Sequence, residues 1–434
     1  MLRKLILLLA TPAALVAQQV TDTTFHPISV TEAVRLAREN NVSNITAENA
    51  IRTANNNVRS ARAALIPTLN ASAGQSKSAG QRVGPGNQLI DFIPAWSYNT
   101  GLNSQVTLFD AGKMFADIKT QKANVVAQQA SAVTTEYNVA FQVKQAYNSI
   151  LAAKESEGAA RAQLEAAQLQ LQQSIARVKA GAANVSDSLR SVVQVGNAQL
   201  ALLSAQNSYQ TQSAALTRLV GTPYFVTADP ADTVAHPVAP IDSAQVMQLA
   251  LDGPAIRQLD AQLNANRASE RSAKTAYLPT VTANLSYSGS GTSAIYGLNS
   301  NPYPYTRGIS LSLNYPIFNR FSRENNIAAA EISYQNTQAE LKDARLGAQQ
   351  SIITDMATLR NAEETMRVQQ TNVQASEEDL RVQQQRYNLG ASTLLDVLNS
   401  QSALVTARQQ LIQARLSYRN ARAQIEAVIG RDLP

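Results

Sequence analysis

The stretch VTANLSYS at residues 281–288 alternates apolar side chains at odd positions with small polar side chains at even positions. The same period of two recurs in ISLSLNY (309–315), in LNSQVTL (102–108) and, more weakly, in LNASA (69–73). Alternation of this kind is typical of a β-strand whose two faces meet different surroundings. The sequence therefore predicts four strands, at about 67–76, 97–108, 279–288 and 307–316.

The chemistry of these strands suits a membrane. Their aliphatic face suits hydrocarbon, and their hydroxyl and amide face suits a water-filled lumen. A half-buried hairpin of a soluble protein has the same alternation, and this alternative stays open from the residues alone. The predicted strands are about ten residues long, which is near the length that a membrane strand needs. The stretches that join them, 76–95 and 289–306, are rich in Gly, Pro, Asn and Tyr, as long external loops are.

Four strands in lipid leave two open edges, and a bilayer offers no partner for unpaired backbone groups. Closed bacterial barrels start at about eight strands. A chain with four strands must therefore borrow strands from copies of itself. Two copies would supply eight and three would supply twelve, and the hydrogen-bond argument does not choose between them.

The chain is a tandem duplication. Gly181 and Gly390 are 209 positions apart, and the same offset separates Arg177 from Arg386 and Asp187 from Asp396. We assign the two repeats to residues 28–222 and 241–431, with a proline-rich linker at 223–240. Each repeat predicts a helix of about 35 residues, two strands, a very long helix and a final helix that runs back.

Proline placement supports the long helices. No proline lies between Pro94 and Pro223 or between Pro316 and Pro434, and a proline inside a helix costs about 3 kcal/mol. Leucines at heptad-like spacing let neighbouring helices pack as antiparallel coiled coils. These stripes explain packing and say nothing about function.

The N-terminus predicts export. Residues 1–17, MLRKLILLLATPAALVA, have the basic start, apolar middle and small final residue of a secretory signal peptide, which leaves 18–434 as one mature protomer. The 434 residues include no Cys and only two His, so thiolate and most metal chemistry is excluded and no cofactor is expected. The net charge of +6 is scattered, which gives no indication of a nucleic-acid partner.

The order of these elements resembles the TolC family of outer-membrane efflux and secretion channels. The resemblance covers the duplicated repeat, the helix–strand–strand–long helix–helix order, the prolines at helix–strand junctions and the glycine turns. It implies a mainly α fold with a small β part. In that fold, long antiparallel coiled-coil helices form a periplasmic α-barrel, and four strands per chain join a shared, trimeric, 12-stranded outer-membrane β-barrel.

The resemblance also implies a gate at the periplasmic end. Asp396 matches an acidic residue that rings the family's entrance, whereas Asn399 stands where a second acidic ring is common. Tyr387 and Asp187 match a pair that links neighbouring helices in the closed state. Ser392, opposite Ser186, stands where the family has a gate-closing arginine, so we expect a closure with fewer charge-assisted links. Each of these polar residues could instead lie on the solvated face of a long helix.

The glycine turns are the expected contact surface for a periplasmic adaptor protein. The residues concerned are Lys179, Gly181, Ala182, Leu389, Gly390 and Ala391. Small residues allow a close approach of backbones, although a helix C-cap alone also requires glycine.

The sequence therefore predicts an outer-membrane exit duct of a tripartite efflux pump or type I secretion system. Its expected partners are two further copies of itself, the adaptor, an inner-membrane pump and outer-membrane lipid. The alternative is an exported coiled-coil scaffold without channel activity. No catalytic residue is expected, because the chain has no HExxH, no Gly-x-Ser-x-Gly and no His placed for a triad.

Overall fold

A computed structural model describes residues 24–77, 80–92, 95–233, 243–293, 296 and 303–433, so the predicted signal peptide lies outside the described residues. The chain forms two compact units. The first unit takes its residues from 1–45, 135–250 and 350–434, and the second unit from 46–134 and 251–349.

Eight α-helices and eight β-strands are found in the described part of the chain. The helices are α1 (Val30–Asn40), α2 (Val42–Ala63), α3 (Lys113–Lys179), α4 (Val185–Val220), α5 (Ser243–Leu251), α6 (Pro254–Lys274), α7 (Ser322–Asn388) and α8 (Leu394–Ile429). The strands are β1 (His26–Ile28), β2 (Thr68–Lys77), β3 (Gly80–Val83), β4 (Leu89–Phe92), β5 (Trp96–Phe109), β6 (Val226–Ala228), β7 (Thr280–Ser293) and β8 (Tyr305–Asn314).

The two long helices have equal lengths, and so do the two helices that follow them. Helices α3 and α7 each contain 67 residues, and α4 and α8 each contain 36. Helices α4 and α8 both end at a left-handed glycine, Gly221 and Gly430, whose N–H donates to the carbonyl four residues earlier. Glycine reaches this backbone conformation without steric cost, which is why both helices stop there.

The predicted first helix of each repeat is broken in two. Asn41 adopts extended backbone between α1 and α2, and its side-chain amide donates to the carbonyl oxygen of Leu219 at 2.8 Å. In the second repeat the break lies at Gly253, which is also extended and precedes Pro254. A proline disfavours helical backbone at the residue before it, so a new helix begins at Pro254.

The first unit has a core made by α1, α3, α4 and the short strands β1 and β6. Its buried residues are Ala33, Ala37, Val139, Val143, Tyr147, Ile150, Leu151, Leu216, Val220, Val226 and Ala228. A second cluster joins α5, α7 and α8 around Ile352 and Ile425. Lys144 on α3 links the two groups of helices, because its ammonium contacts the carboxylates of Glu426 at 2.7 Å and Asp432 at 2.5 Å.

The prediction of a plain linker over 223–240 is wrong for its first half. Residues Val226–Ala228 form β6, which pairs in parallel with β1 and is completely buried. The prolines at 223 and 230 stand on either side of this strand, so they mark its ends and do not indicate an unstructured connection. Residues 234–240 lie outside the described part of the chain.

The second unit carries the main β-sheet. It is antiparallel throughout, with the order β2-β5-β7-β8. Strand β7 is longer than predicted, since it continues to Ser293. The stretch 76–95, predicted as a loop, contains the hairpin β3–β4, in which Val83 pairs with Leu89.

The Tyr147 hydroxyl holds the interrepeat segment to the core. It donates to Asp232 Oδ2 at 2.5 Å, lies 3.0 Å from the Ile28 carbonyl oxygen, and accepts from the Asp229 N–H at 3.0 Å. Burial, followed by the hydrogen bond to Asp232, raises the pKa of Tyr147 well above its ordinary value. The phenol is therefore a neutral donor at any physiological pH.

We expect Tyr147→Phe to lower the free energy of unfolding by about 1–3 kcal/mol, because it leaves buried hydrogen-bonding groups unpaired. Urea denaturation of detergent-solubilised protein, followed by circular dichroism, measures the change. Tyr137→Phe is the matched control, since no hydrogen bond is found for that hydroxyl in the described residues. Equal stability of the Y147F and Y137F proteins would contradict the assignment.

Candidate functional site

One face of the main sheet is apolar and exposed. Ile309 pairs with Leu285, Leu311 with Ala283 and Leu313 with Val281, which places these side chains in adjacent rows of one face. The exposed fractions of the three β8 residues are 83%, 69% and 70%. A soluble protein rarely leaves such a continuous apolar patch in water. The soluble alternative required one face to be half-buried, and along β8 the described residues do not cover this one.

The opposite face is polar. Ser310 pairs with Asn284, and Ser312 pairs with Thr282. Hydroxyl and amide groups therefore line this side of β7 and β8, as the lumen of a channel requires. Since the side-chain period of a strand is two, the register fixes which face each residue joins.

Both edges of the sheet are open in the protomer. Strand β2 pairs only with β5, and β8 pairs only with β7, within the described part of the chain. Each edge strand is ten residues long and presents a row of backbone N–H and C=O groups without a partner strand. Such a row is a template for pairing with another chain.

The second feature is a pair of turns in the first unit, which we call the first helix turn (179–183) and the second helix turn (389–392). They have the same hydrogen bonds. The N–H of Gly181 donates to the Val178 carbonyl oxygen, as that of Gly390 does to the Tyr387 oxygen, both at 3.0 Å. The next residue, Ala182 or Ala391, donates to the carbonyl oxygen five residues earlier at 2.8 Å. Both turns are therefore Schellman motifs.

The predicted adaptor-contact residues all lie on the surface of these turns. Lys179, Gly181, Ala182, Leu389, Gly390 and Ala391 are exposed, and Leu389 is 85% exposed. Gly181 and Gly390 have φ angles of 71° and 75°, whereas a Cβ at either position would meet no atom within 4 Å. Within the protomer the backbone angle, and not a close approach of another chain segment, requires glycine here.

Asp396 has a structural role at the start of α8. Its Oδ2 accepts from the Thr393 N–H at 2.8 Å and from the Thr393 hydroxyl at 2.7 Å, and its own N–H donates back to that hydroxyl. The backbone N–H of Thr393, and then its hydroxyl, hold the pKa of Asp396 below its usual range. Asp396 is exposed, so it presents a fully ionised carboxylate to its surroundings.

The corresponding start of α4 is capped differently. The Asn184 side chain accepts from the Ser186 N–H at 3.2 Å, which leaves the carboxylate of Asp187 outside the cap. Ser186 is exposed and Asp187 is half-buried. Asn399 is exposed on α8, one turn after Asp396. Four of the predicted gate residues therefore lie at the starts of two equivalent helices, whereas Tyr387 lies at the end of α7 and Ser392 lies in the second helix turn.

Tyr387 and Asp187 do not form a hydrogen bond in the protomer. Tyr387 is buried, and its hydroxyl has no hydrogen-bond partner among the described residues. Its ring is instead covered by the guanidinium of Arg177, whose central carbon lies 4.4 Å from the ring centroid. The pairing of Tyr387 with Asp187 stays a prediction for the assembled channel.

Arg177 is the residue that the sequence reasoning missed. Its two terminal nitrogens both donate to the Tyr387 carbonyl oxygen at 3.2 Å, so a cation binds the carbonyl end of α7. This charge-assisted contact joins the end of α3 to the end of α7. Ser392, which the resemblance places at the position of a gate-closing arginine, donates to the Gln383 carbonyl oxygen at 3.4 Å. The signal in the sequence was a basic residue in the last turn of a helix, which is too common to single out.

The described residues contain no group of His, Cys, Asp and Glu that could hold a metal ion. No described helix carries an apolar run long enough to cross a bilayer.

Comparison with known proteins decides the family. The model of the outer membrane efflux protein family matches residues 33–222 and 246–431. The chain belongs to that family. As a member, it is an outer membrane protein and serves as the exit duct of an efflux or secretion system.

Similar sequences include the pyoverdine export outer membrane protein OpmQ of Pseudomonas aeruginosa, which is 26% identical over 85% of this chain and 77% of that protein. The outer membrane protein TolC of Escherichia coli is 24% identical, over 86% of this chain and 76% of TolC. Among solved structures, CusC has a TM-score of 0.75 at 18% identity, covering 95% of this chain and 96% of CusC. Similarity to solved outer membrane channels such as CusC shows that this chain has a TolC-like fold, which is mainly helical with a small sheet.

We expect Tyr387→Phe, made in an Asp187→Ala background that lacks the predicted partner of the assembled channel, to leave the thermal unfolding midpoint of this outer membrane efflux protein unchanged or slightly higher, because a buried hydroxyl without a partner contributes no hydrogen bond. Differential scanning fluorimetry in detergent measures it. Tyr387→Ala is the comparison, and it should lower the midpoint by removing the ring under Arg177. A clear destabilisation by Y387F would mean that the hydroxyl has a partner.

Proposed function

We propose that three copies of this chain form a passive duct through the outer membrane, with no catalytic chemistry of their own. The observation that carries the proposal is the sheet with an exposed apolar face and two open edges. Pairing β8 of one protomer with β2 of the next satisfies both rows of backbone groups. Three copies give twelve strands, the number that the family resemblance implies.

The rest of the chain supplies the periplasmic part of the duct. The long helices α3 and α7, with α4 and α8, form an α-helical tunnel when three protomers associate. A periplasmic adaptor binds the first and second helix turns, which expose small residues and the side chain of Leu389. An inner-membrane pump supplies the energy. OpmQ is named for the export of pyoverdine, and a polar lumen is compatible with cargo of that kind.

The gate lies at the starts of α4 and α8. Three copies of Asp396 place three ionised carboxylates around the axis, which favours cations. Asn399 makes the next ring neutral, and Asp187, Ser186 and Ser392 complete the closure with hydrogen bonds. Arg177 and Tyr387 hold the two helix turns of one protomer together, so they open and close as a single body.

Cysteine crosslinking tests the assembly, since the chain has no native Cys. We expect Ser72→Cys on β2, combined with Ser310→Cys or Ser312→Cys on β8, to give covalent dimers and trimers after oxidation in membranes. All three serines lie on the polar face. The S72C single variant is the control and should stay monomeric on a denaturing gel. Failure of both pairs to crosslink would contradict the shared sheet.

Conductance in a planar bilayer tests the duct and its gate. We expect cation-preferring channels, with the preference and the block by multivalent cations both reduced in Asp396→Asn. Thr393→Ala is the matched control, because it weakens the same helix cap, by about 1 kcal/mol, but keeps the charge. Folded, inserted protein without channels would refute the proposed function. Extraction of the protein from cells without detergent would favour the coiled-coil scaffold.

A further inference from the structure

The main sheet is almost free of charge. Across β2, β5, β7 and β8 the charged residues are Lys77 and Arg307, and both are cations. Neither has an ion-pair partner among the described residues. Both cations are exposed in the protomer, but in a bilayer each would need an anion, since a charge that is removed from water is costly unless it is paired.

Both cations lie on the apolar face. Arg307 pairs with Tyr287, which pairs with Leu102, which in turn pairs with Ala71. Lys77 is six residues beyond Ala71 along β2, so the period of two returns it to the same face. The polar face, which suits the lumen, has no charged residue in these strands.

Each cation lies toward the same end of its own strand, although Arg307 is level with Ala71 in the register, so the two cations are roughly 20 Å apart along the strands. Lys77 is the last residue of β2, and Arg307 is the third residue of β8. The opposite ends of these strands lead into α2 and α7, whereas this end carries the connections between the strands. If the helices are periplasmic, this is the outer end of the sheet. The rows of Leu and Ile on β8 lie between the cations and the helices.

Each cation is held by an aromatic ring. The Lys77 ammonium lies 5.6 Å from the centroid of Trp96, and the Arg307 guanidinium lies 5.5 Å from that of Tyr287. Tyr305 stacks on Tyr287 at 5.3 Å with an interplanar angle of 17°. A guanidinium over a ring keeps the N–H groups of its edge available for an anion, so the rings orient the cations without neutralising them.

Resting on the proposed membrane insertion, we infer that the Lys77–Trp96 pair and the Arg307–Tyr287 pair each bind the phosphate of a separate anionic lipid headgroup at the surface of the sheet. A lipid satisfies both parts of this surface at once. At each pair, the acyl chains of a lipid cover the neighbouring apolar side chains, and its phosphate reaches the one cation of that pair. Arginine binds phosphate through two parallel hydrogen bonds, and aromatic residues are favoured at the same level of a bilayer.

Free phosphate is a weaker match, because it would leave the neighbouring apolar rows in water. An acidic protein segment would meet the cations but would compete with lipid for the aliphatic rows. Lipid is the occupant that requires no second partner once the sheet is in a bilayer.

The chain has one tryptophan, Trp96, which reports on the Lys77 pair directly. The full-length protein is inserted into phosphatidylcholine vesicles that contain a minority of phosphatidylglycerol. Bromine, which quenches tryptophan fluorescence on contact, is placed on the acyl chains of one lipid and then of the other. The quenching by brominated phosphatidylglycerol is divided by the quenching by brominated phosphatidylcholine. This ratio, corrected for the proportions of the two lipids in the vesicles, gives the enrichment of anionic lipid at Trp96.

We expect phosphatidylglycerol to be enriched roughly fivefold at Trp96, because the attraction of one nearby cation for an anionic lipid corresponds to about that factor. Lys77→Gln should abolish the enrichment. Arg59→Gln, which removes an exposed cation of α2, is the matched control and should retain it. Added inorganic phosphate at millimolar concentration should have no effect. Trp96→Phe combined with Tyr305→Trp moves the fluorescent reporter to the Arg307–Tyr287 pair. In that variant, Arg307→Gln should abolish the enrichment of phosphatidylglycerol.

The outcomes separate the two proposals. Equal quenching by both lipids, with normal conductance, would overturn the lipid inference and leave the duct intact. Loss of enrichment on adding inorganic phosphate would overturn it in favour of a free-anion site. No quenching by either brominated lipid, together with no conductance, would overturn the proposed function itself.

Discussion

Backbone hydrogen bonding at the edges of the sheet is the constraint on which the rest of this protein depends. The open rows of β2 and β8 need partner strands once they leave water, because hydrocarbon supplies no donor or acceptor. A single protomer with this sheet is therefore incomplete in a membrane. The exposed aliphatic side chains of β8 also indicate a membrane environment, so the polarity of the sheet and the hydrogen bonding at its edges lead to the same conclusion.

The sequence was informative wherever one strong local signal acted alone. The period of two in 281–288 and 309–315 predicted β7 and β8 and identified the apolar face of each. The absence of proline predicted two very long helices, and paired glycines predicted their ends. In each case the residue pattern reports directly on backbone conformation or on the surroundings of a face, and no distant contact is needed to interpret it.

Other features depend on distant parts of the chain and could not be predicted. Strand β6 is a strand because it pairs with β1 and because Tyr147 binds the segment after it. The break at Asn41 is supported by the Leu219 carbonyl, which belongs to another helix. Arg177 acquires its role from a ring 210 positions later. At the predicted gate, the resemblance pointed to Asp396, but the capping hydrogen bonds between Asp396 and Thr393 became visible only in the structure.

The pairing of β1 with β6 also has a consequence for biogenesis. His26 is the partner of Val226, so these two short strands join residues that are 200 positions apart in the sequence. The entropic cost of closing so large a loop grows only slowly with its length, but the contact cannot form until the later segment has been delivered. Strand β1 therefore stays without its partner strand until some two hundred further residues have been synthesised and exported.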